Sequence, residues 1–134
     1  MASPKHVLRC LKKIRIDGGS IDFNLHVLTL KAEPVDHFEL MCEAIDQDIQ
    51  SPAGVACVMD WIHRVEGGEL DLAEVDGNAW VINITRDKVW FEGLYSQGEG
   101  GAVSTAQFKL AVQTYLRFLD DPEHKIVEVP FPDG

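Results

Sequence analysis

Five histidines, a cluster of carboxylates and three cysteines are the residues whose chemistry comes first. His6, His26, His37, His63 and His124 lack the close fixed spacing that metal ligands on one helix face need. Asp120, Asp121, Glu123 and His124 crowd together and could hold a hard cation, but a solvated charged helix stop accounts for the same run. Acid–base catalysis needs paired groups with separated proton affinities in a cleft. Asp60 with His63 is one pair, three residues apart, which on a strand means opposite faces. Asp22 with His26 would share the polar face of a strand, where such residues often have no function. No Gly-x-Ser-x-Gly, phosphate loop, dinucleotide fingerprint or His-Glu-x-x-His occurs. Cys10, Cys42 and Cys57 are odd in number and widely spaced, which suits reduced thiols better than disulfides or zinc. Cys42 and Cys57 are expected to be buried, each on an apolar face. These residues predict no catalysis, no metal and no cofactor.

The acidic residues carry a second kind of chemistry. Glu66, Glu69, Asp71, Glu74 and Asp76 follow one another with no base between them. On a strand, Glu69 and Asp71 would share the face opposite Leu70 and Leu72. Such a carboxylate ridge can pair with lysines and arginines of a partner. It can equally be an edge strand charged against aggregation. Val89 and Phe91 should point inward, so Trp90, Glu92 and Leu94 point outward by alternation. An exposed Trp beside acids suits an interface anchor, unless a helix covers that face. The candidate partner-binding residues are therefore Glu66, Glu69, Asp71, Glu74, Asp76, Trp90, Glu92 and Tyr95.

Charge over the whole chain points the same way. There are 22 acids and 12 bases, a formal net charge of −10. Residues 1–16 hold five bases and no acid, so residues 17–134 set seven bases against 22 acids. Such a body repels nucleic acid and anionic membrane, and attracts basic surfaces. The expectation is a basic protein partner, with no direct contact to nucleic acid or membrane. Acidity that serves only solubility is the alternative.

The elements that must position these residues follow from periodicity. Ser3-Pro4 could open a helix, but alternation of Ile14 and Ile16 with bases competes as a strand. Ile21 to Val27 alternates as a half-buried strand, and the slip at Val27 and Leu28 predicts a bulge. Asp36 and Glu39 form a capping box for a helix over 36–49, ended by Ser51-Pro52-Ala53-Gly54. Val55 to Val65 predicts a strand apolar on both faces. A shorter strand around Leu70, Leu72 and Val75 leads through Asp76-Gly77-Asn78 to strands over 79–85 and 88–95. Residues 96–101 predict a glycine-rich loop. Ser104 with Gln107 caps a helix over 105–119, and Ile126, Val127 and Val129 make a last edge strand stopped by Pro130. The fold class is α+β, one domain over 1–134, an antiparallel meander sheet covered by two main helices.

Residues 74–119 resemble a known family. Glu74-Val75-Asp76-Gly77-Asn78-Ala79-Trp80-Val81-Ile82, then Lys88-Val89-Trp90-Phe91-Glu92, a glycine-rich loop, and the helix from Phe108 to Phe118-Leu119 carry the likeness. The pattern is similar to small immunity proteins of bacterial polymorphic toxin systems, those of contact-dependent growth inhibition above all. The resemblance implies a cytoplasmic inhibitor that binds and occludes one toxin domain, often a nuclease with a basic groove. The alternatives are a small enzyme or ligand-binding domain built on His26, Asp22 or His63, and a structural adaptor that dimerises through a sheet edge.

Overall fold

The computed structural model describes residues 6–16, 24–33, 38–49, 51–95, 98–123 and 125–131, and for residues 6, 11–16 and 24–33 the backbone alone. The elements run β1 (His6–Ile16), β2 (Asn24–Glu33), α1 (Glu39–Ala44), a π-helical turn (Ile45–Ile49), α2 (Pro52–Glu66), β3 (Ala73–Asp76), β4 (Trp80–Ile84), β5 (Lys88–Gly93), β6 (Glu99–Ser104), α3 (Thr105–Asp120) and β7 (Val127–Phe131). The fold is α+β, with three α-helices and two antiparallel sheets among the described residues. One sheet has the order β2-β1-β7, and the other is a meander of β3-β4-β5-β6.

The helical layer lies between the sheets. α1 packs on β2 and on β5 and β6, while α3 packs on β1, β7, β5 and β6. α2 packs on α3, β3 and β4. Trp80, Ile82 and Ile84 of β4, with Val89 and Phe91 of β5, turn inward onto this layer and are buried. Two aromatic pairs tie the layers together: Phe38 meets Phe131 edge-on at 4.8 Å, and Phe91 lies 5.9 Å from Phe108.

Residues 55–65 are helical, not a strand. Ser51 is the helix N-cap, accepting a hydrogen bond from Gly54 N–H at 3.1 Å, and Pro52 occupies the first turn. The Ser51-Pro52 signal that suggested a stop for the preceding helix is thus a start. Val55, Val58, Ile62 and Val65 form the buried stripe, with intervals of three and four. Period-two alternation among Val55, Cys57, Met59 and Trp61 competed with that stripe, and packing against α3 selected the helical period. Cys57 is consequently exposed rather than buried, while Cys42 is buried as expected.

Other expectations are also corrected. β1 covers residues 6–16, so the strand reading of the N-terminal region holds there, while Ser3 and Pro4 lie outside the described residues. Pairing of β1 with β2 runs without interruption from Val7↔Glu33 to Ile16↔Asn24, so no bulge interrupts β2 at Val27 and Leu28. The expected helix over 36–49 begins at Glu39 and finishes as a π-helical turn; Phe38 rather than Asp36 occupies its N-cap, so Glu39 is the first helical residue and not the third of a capping box, and Asp36 itself lies outside the described residues. The strand around Leu70 and Leu72 starts only at Ala73. β7 continues through Pro130 to Phe131, because its position at a sheet edge spares Pro130 a missing ladder donor.

The glycine-rich segment supplies a strand. Gly100 and Gly101 belong to β6, and the β5–β6 register shifts between Val89 and Phe91. Gly100 and Gly101 have φ of 103° and 60°, which other residues rarely adopt. A Cβ on Gly101 would come within 2.8 Å of Leu40 Cβ, so glycine here lets α1 sit against the strand. β6 therefore takes the place in the meander that 55–65 was expected to fill.

Candidate functional site

The outward face of the four-stranded sheet gathers part of the acidic run. Alternation along β3 turns Ala73 and Val75 toward the core and Glu74 and Asp76 outward. Two cross-strand rows follow from the register. Glu74 stands opposite Asn83, which stands opposite Trp90. Asp76 stands opposite Val81, then Glu92, then Glu99. Glu74, Asp76, Glu92 and Glu99 are exposed, and Trp90 is half-buried among them. Asn83 is buried in its row, and its Nδ2 donates to Glu92 Oε1 at 3.1 Å. Lys88 places its ammonium 5.3 Å from the centre of the Trp90 ring. Beyond β5, Leu94 and Tyr95 are exposed, Tyr95 by 75%.

The edge of this face is held by a latch. Asp48, at the end of the π-helical turn, accepts hydrogen bonds from three successive backbone amides: Asn78 at 3.0 Å, Ala79 at 2.9 Å and Trp80 at 2.7 Å. Gln47 Oε1 accepts from the Trp80 indole at 2.9 Å. A Cβ on Gly77 would overlap the Asp48 carboxylate, so the turn needs glycine there. The Asp76-Gly77-Asn78 hairpin signal was legible in the sequence. Asp48 and Gln47, some thirty positions upstream, carried no signal of this role.

The rest of the acidic run lies elsewhere and is partly neutralised. Glu66 ends α2, and both its carboxylate oxygens accept from Lys109 Nζ at 3.2 Å. Glu69 lies 3.8 Å from Arg64, which also pairs with Asp60 at 3.1 Å and stacks over Trp61. Asp71 lines a small cavity with Arg86. The expected ridge is therefore divided: Glu66, Glu69 and Asp71 surround the end of α2, while Glu74 and Asp76 join Trp90 and Glu92. Lys109 compensates Glu66 from 43 positions away, which no local count of charge reveals, whereas Arg64 reaches Glu69 from within the same stretch of chain.

The alternative sites are not assembled among the described residues. Asp60 and His63 are exposed on α2, and Asp60 is engaged by Arg64. Asp22 lies outside the described residues, and for His26 only its backbone pairing with Ile14 is described. Asp121 uses its carboxylate to accept from Glu123 and Lys125 N–H, and His124 lies outside the described residues. No three His, Cys, Asp or Glu side chains converge as a metal site among the described residues. Nor is any helix among them long and apolar enough to cross a membrane. Burial, with the Asp46 charge second, pushes the Cys10 thiol up to about 12, which leaves it unreactive. Comparison with protein family models, with characterised proteins and with solved structures gave no match to this chain.

Proposed function

We propose that this chain is a binding protein that meets a basic protein partner through the outward face of the β3–β6 sheet. In its finer form the reading is an immunity-type inhibitor that occludes the basic groove of a toxin nuclease. The observation that carries it is the row Asp76, Val81, Glu92, Glu99 beside Trp90. Glu92 and Glu99 stand directly opposite each other across two strands, an arrangement that costs stability. A partner's lysines and arginines would convert that repulsion into attraction. Trp90 and the exposed Leu94 and Tyr95 supply apolar area next to the charges, the composition of an interface anchor within a polar rim. The inhibitor reading rests in addition on the resemblance of residues 74–119 to immunity proteins. An acidic face offers carboxylates where a nuclease groove expects phosphates.

On this reading the neighbouring gene encodes a secreted protein with a toxin domain, and the test is a measurement of binding to that domain at two salt concentrations. Association should slow as salt rises, because screening removes long-range steering. Replacing Glu92 and Glu99 together by Lys should weaken binding by about tenfold or more. Trp90→Ala should speed dissociation with little salt dependence, since it removes packing rather than charge. Unchanged affinity in both variants, each still folded, would place the interface elsewhere.

A further inference from the structure

Next to the end of α2 lies a cavity of about 420 Å³, lined by Glu66, Arg86, Thr105, Lys109, Leu110 and Gln113. None of these belongs to the outward-face rows. The volume is in the range of small-molecule sites. The lining is mostly polar and charged, which selects against an apolar ligand. Arg86 also borders the smaller neighbouring cavity of about 230 Å³. Of the seven Lys and Arg side chains described in this acidic chain, five are engaged, Arg9 with Glu128, Arg64 with Asp60, Lys109 with Glu66, Lys125 with Glu123 and Lys88 with the Trp90 ring; the other two are Arg86 and Arg117. Arg86 meets no carboxylate at ion-pair distance among the described residues.

The turn that carries Arg86 is fixed. Thr105 N–H donates to Asp87 O at 3.1 Å, and Thr105 Oγ1 donates to Thr85 O at 2.8 Å. These bonds clamp both flanks of Arg86 to the start of α3. The Thr105 hydroxyl hydrogen is spent, so toward the cavity its oxygen can only accept. Lys109 is held by both oxygens of Glu66, which fixes an ammonium and a carboxylate on one wall. The donors available to a ligand are the Arg86 guanidinium, the Gln113 amide and the remaining Lys109 N–H; the acceptors are Thr105 Oγ1 and Glu66.

We propose that this cavity binds a phosphate monoester of a small polyhydroxy compound, with the phosphate on Arg86 and the hydroxyls on the Glu66–Lys109 wall. A phosphate has enough acceptor oxygens for the planar guanidinium fork and a second donor. Hydroxyls can give hydrogen bonds to Glu66 and Thr105, which a bare anion cannot.

The experiment is an amide-resolved NMR titration of the whole chain with glucose 6-phosphate, inorganic phosphate and glucose, each at constant ionic strength. Glucose 6-phosphate should give saturable shifts confined to the surroundings of residues 66, 86, 105, 109 and 113. Inorganic phosphate should move the same signals with weaker affinity, and glucose should move none. Arg86→Gln lies in an exposed turn and should keep the native spectrum while lowering affinity for the ester about tenfold or more. Shifts that never saturate, that spread to the other bases, or that persist unchanged in Arg86→Gln overturn the proposal. Equal affinity for the ester and for free phosphate overturns its hydroxyl half.

Discussion

At the residue scale, Asp48 contributes more than its sequence neighbours suggest. One carboxylate satisfies three consecutive amides of the β3–β4 turn, and a charged acceptor makes each bond stronger than a neutral one. Asp48→Ala leaves those amides without that acceptor, and is expected to cost about 2–3 kcal/mol in a denaturant titration. Asp48→Asn, which keeps one acceptor oxygen, should lose less. Gly77→Ala should resemble Asp48→Ala, since the added methyl displaces the same carboxylate. The cysteines give a second expectation. Cys57 is exposed, whereas Cys10 and Cys42 are buried and the Cys10 thiol is pushed up to about 12. Iodoacetamide at neutral pH should therefore label Cys57 alone in the native protein, with the other two labelled only after unfolding, as read by mass spectrometry.

At the element scale, two helix ends can be tested. Ser104 Oγ accepts from Gln107 N–H at 3.0 Å, and Gln107 Oε1 accepts from Ser104 N–H at 2.8 Å. This reciprocal box was legible from the Ser-x-x-Gln spacing. Ser104→Ala should cost about 1 kcal/mol. A double-mutant cycle with Gln107→Ala should show coupling, because each side chain caps the other's amide. On α1, Glu43 follows Glu39 by one turn. Burial first, and the Glu39 charge second, push the Glu43 carboxyl above its ordinary value. The folded chain then holds that proton more tightly than the unfolded chain does. Ionised Glu43 thus disfavours folding near neutral pH, and this disadvantage disappears as pH falls below the ordinary carboxylate range. Glu43→Gln should raise the melting temperature near neutral pH and leave it unchanged at low pH.

For the whole molecule, the helical layer shared by both sheets is expected to make unfolding a single event. Phe38, Ile45, Ile82 and Phe108 are buried in the core, and Leu116 is half-buried against it. Truncating Phe108 or Phe38 to Ala should cost about 3–5 kcal/mol, since each ring joins the helical layer to one sheet. Indole fluorescence and far-ultraviolet circular dichroism should still lose their signals together. Separate transitions would mean that the sheets unfold independently.

Local signals in the sequence determined much of this protein. The hairpin at Asp76-Gly77-Asn78, the inward phase of Val89 and Phe91, and the Ser104–Gln107 cap all rest on residues within a few positions of each other. Backbone alternation and capping geometry act over that range. Only the tertiary structure decided between competing periods in residues 55–65, where a two-residue and a three-to-four-residue apolar pattern coexist and contact with α3 chose the helix. The same holds for the glycines of β6, whose strand depends on the close approach of Leu40. It holds for the acidic run as well. Lys109 neutralises Glu66 from 43 positions away, while the strand register lines up Asp76 with Glu92 and Glu99. Charge pairing and cross-strand register join residues far apart in the chain, and local sequence carries no record of which distant partner will arrive.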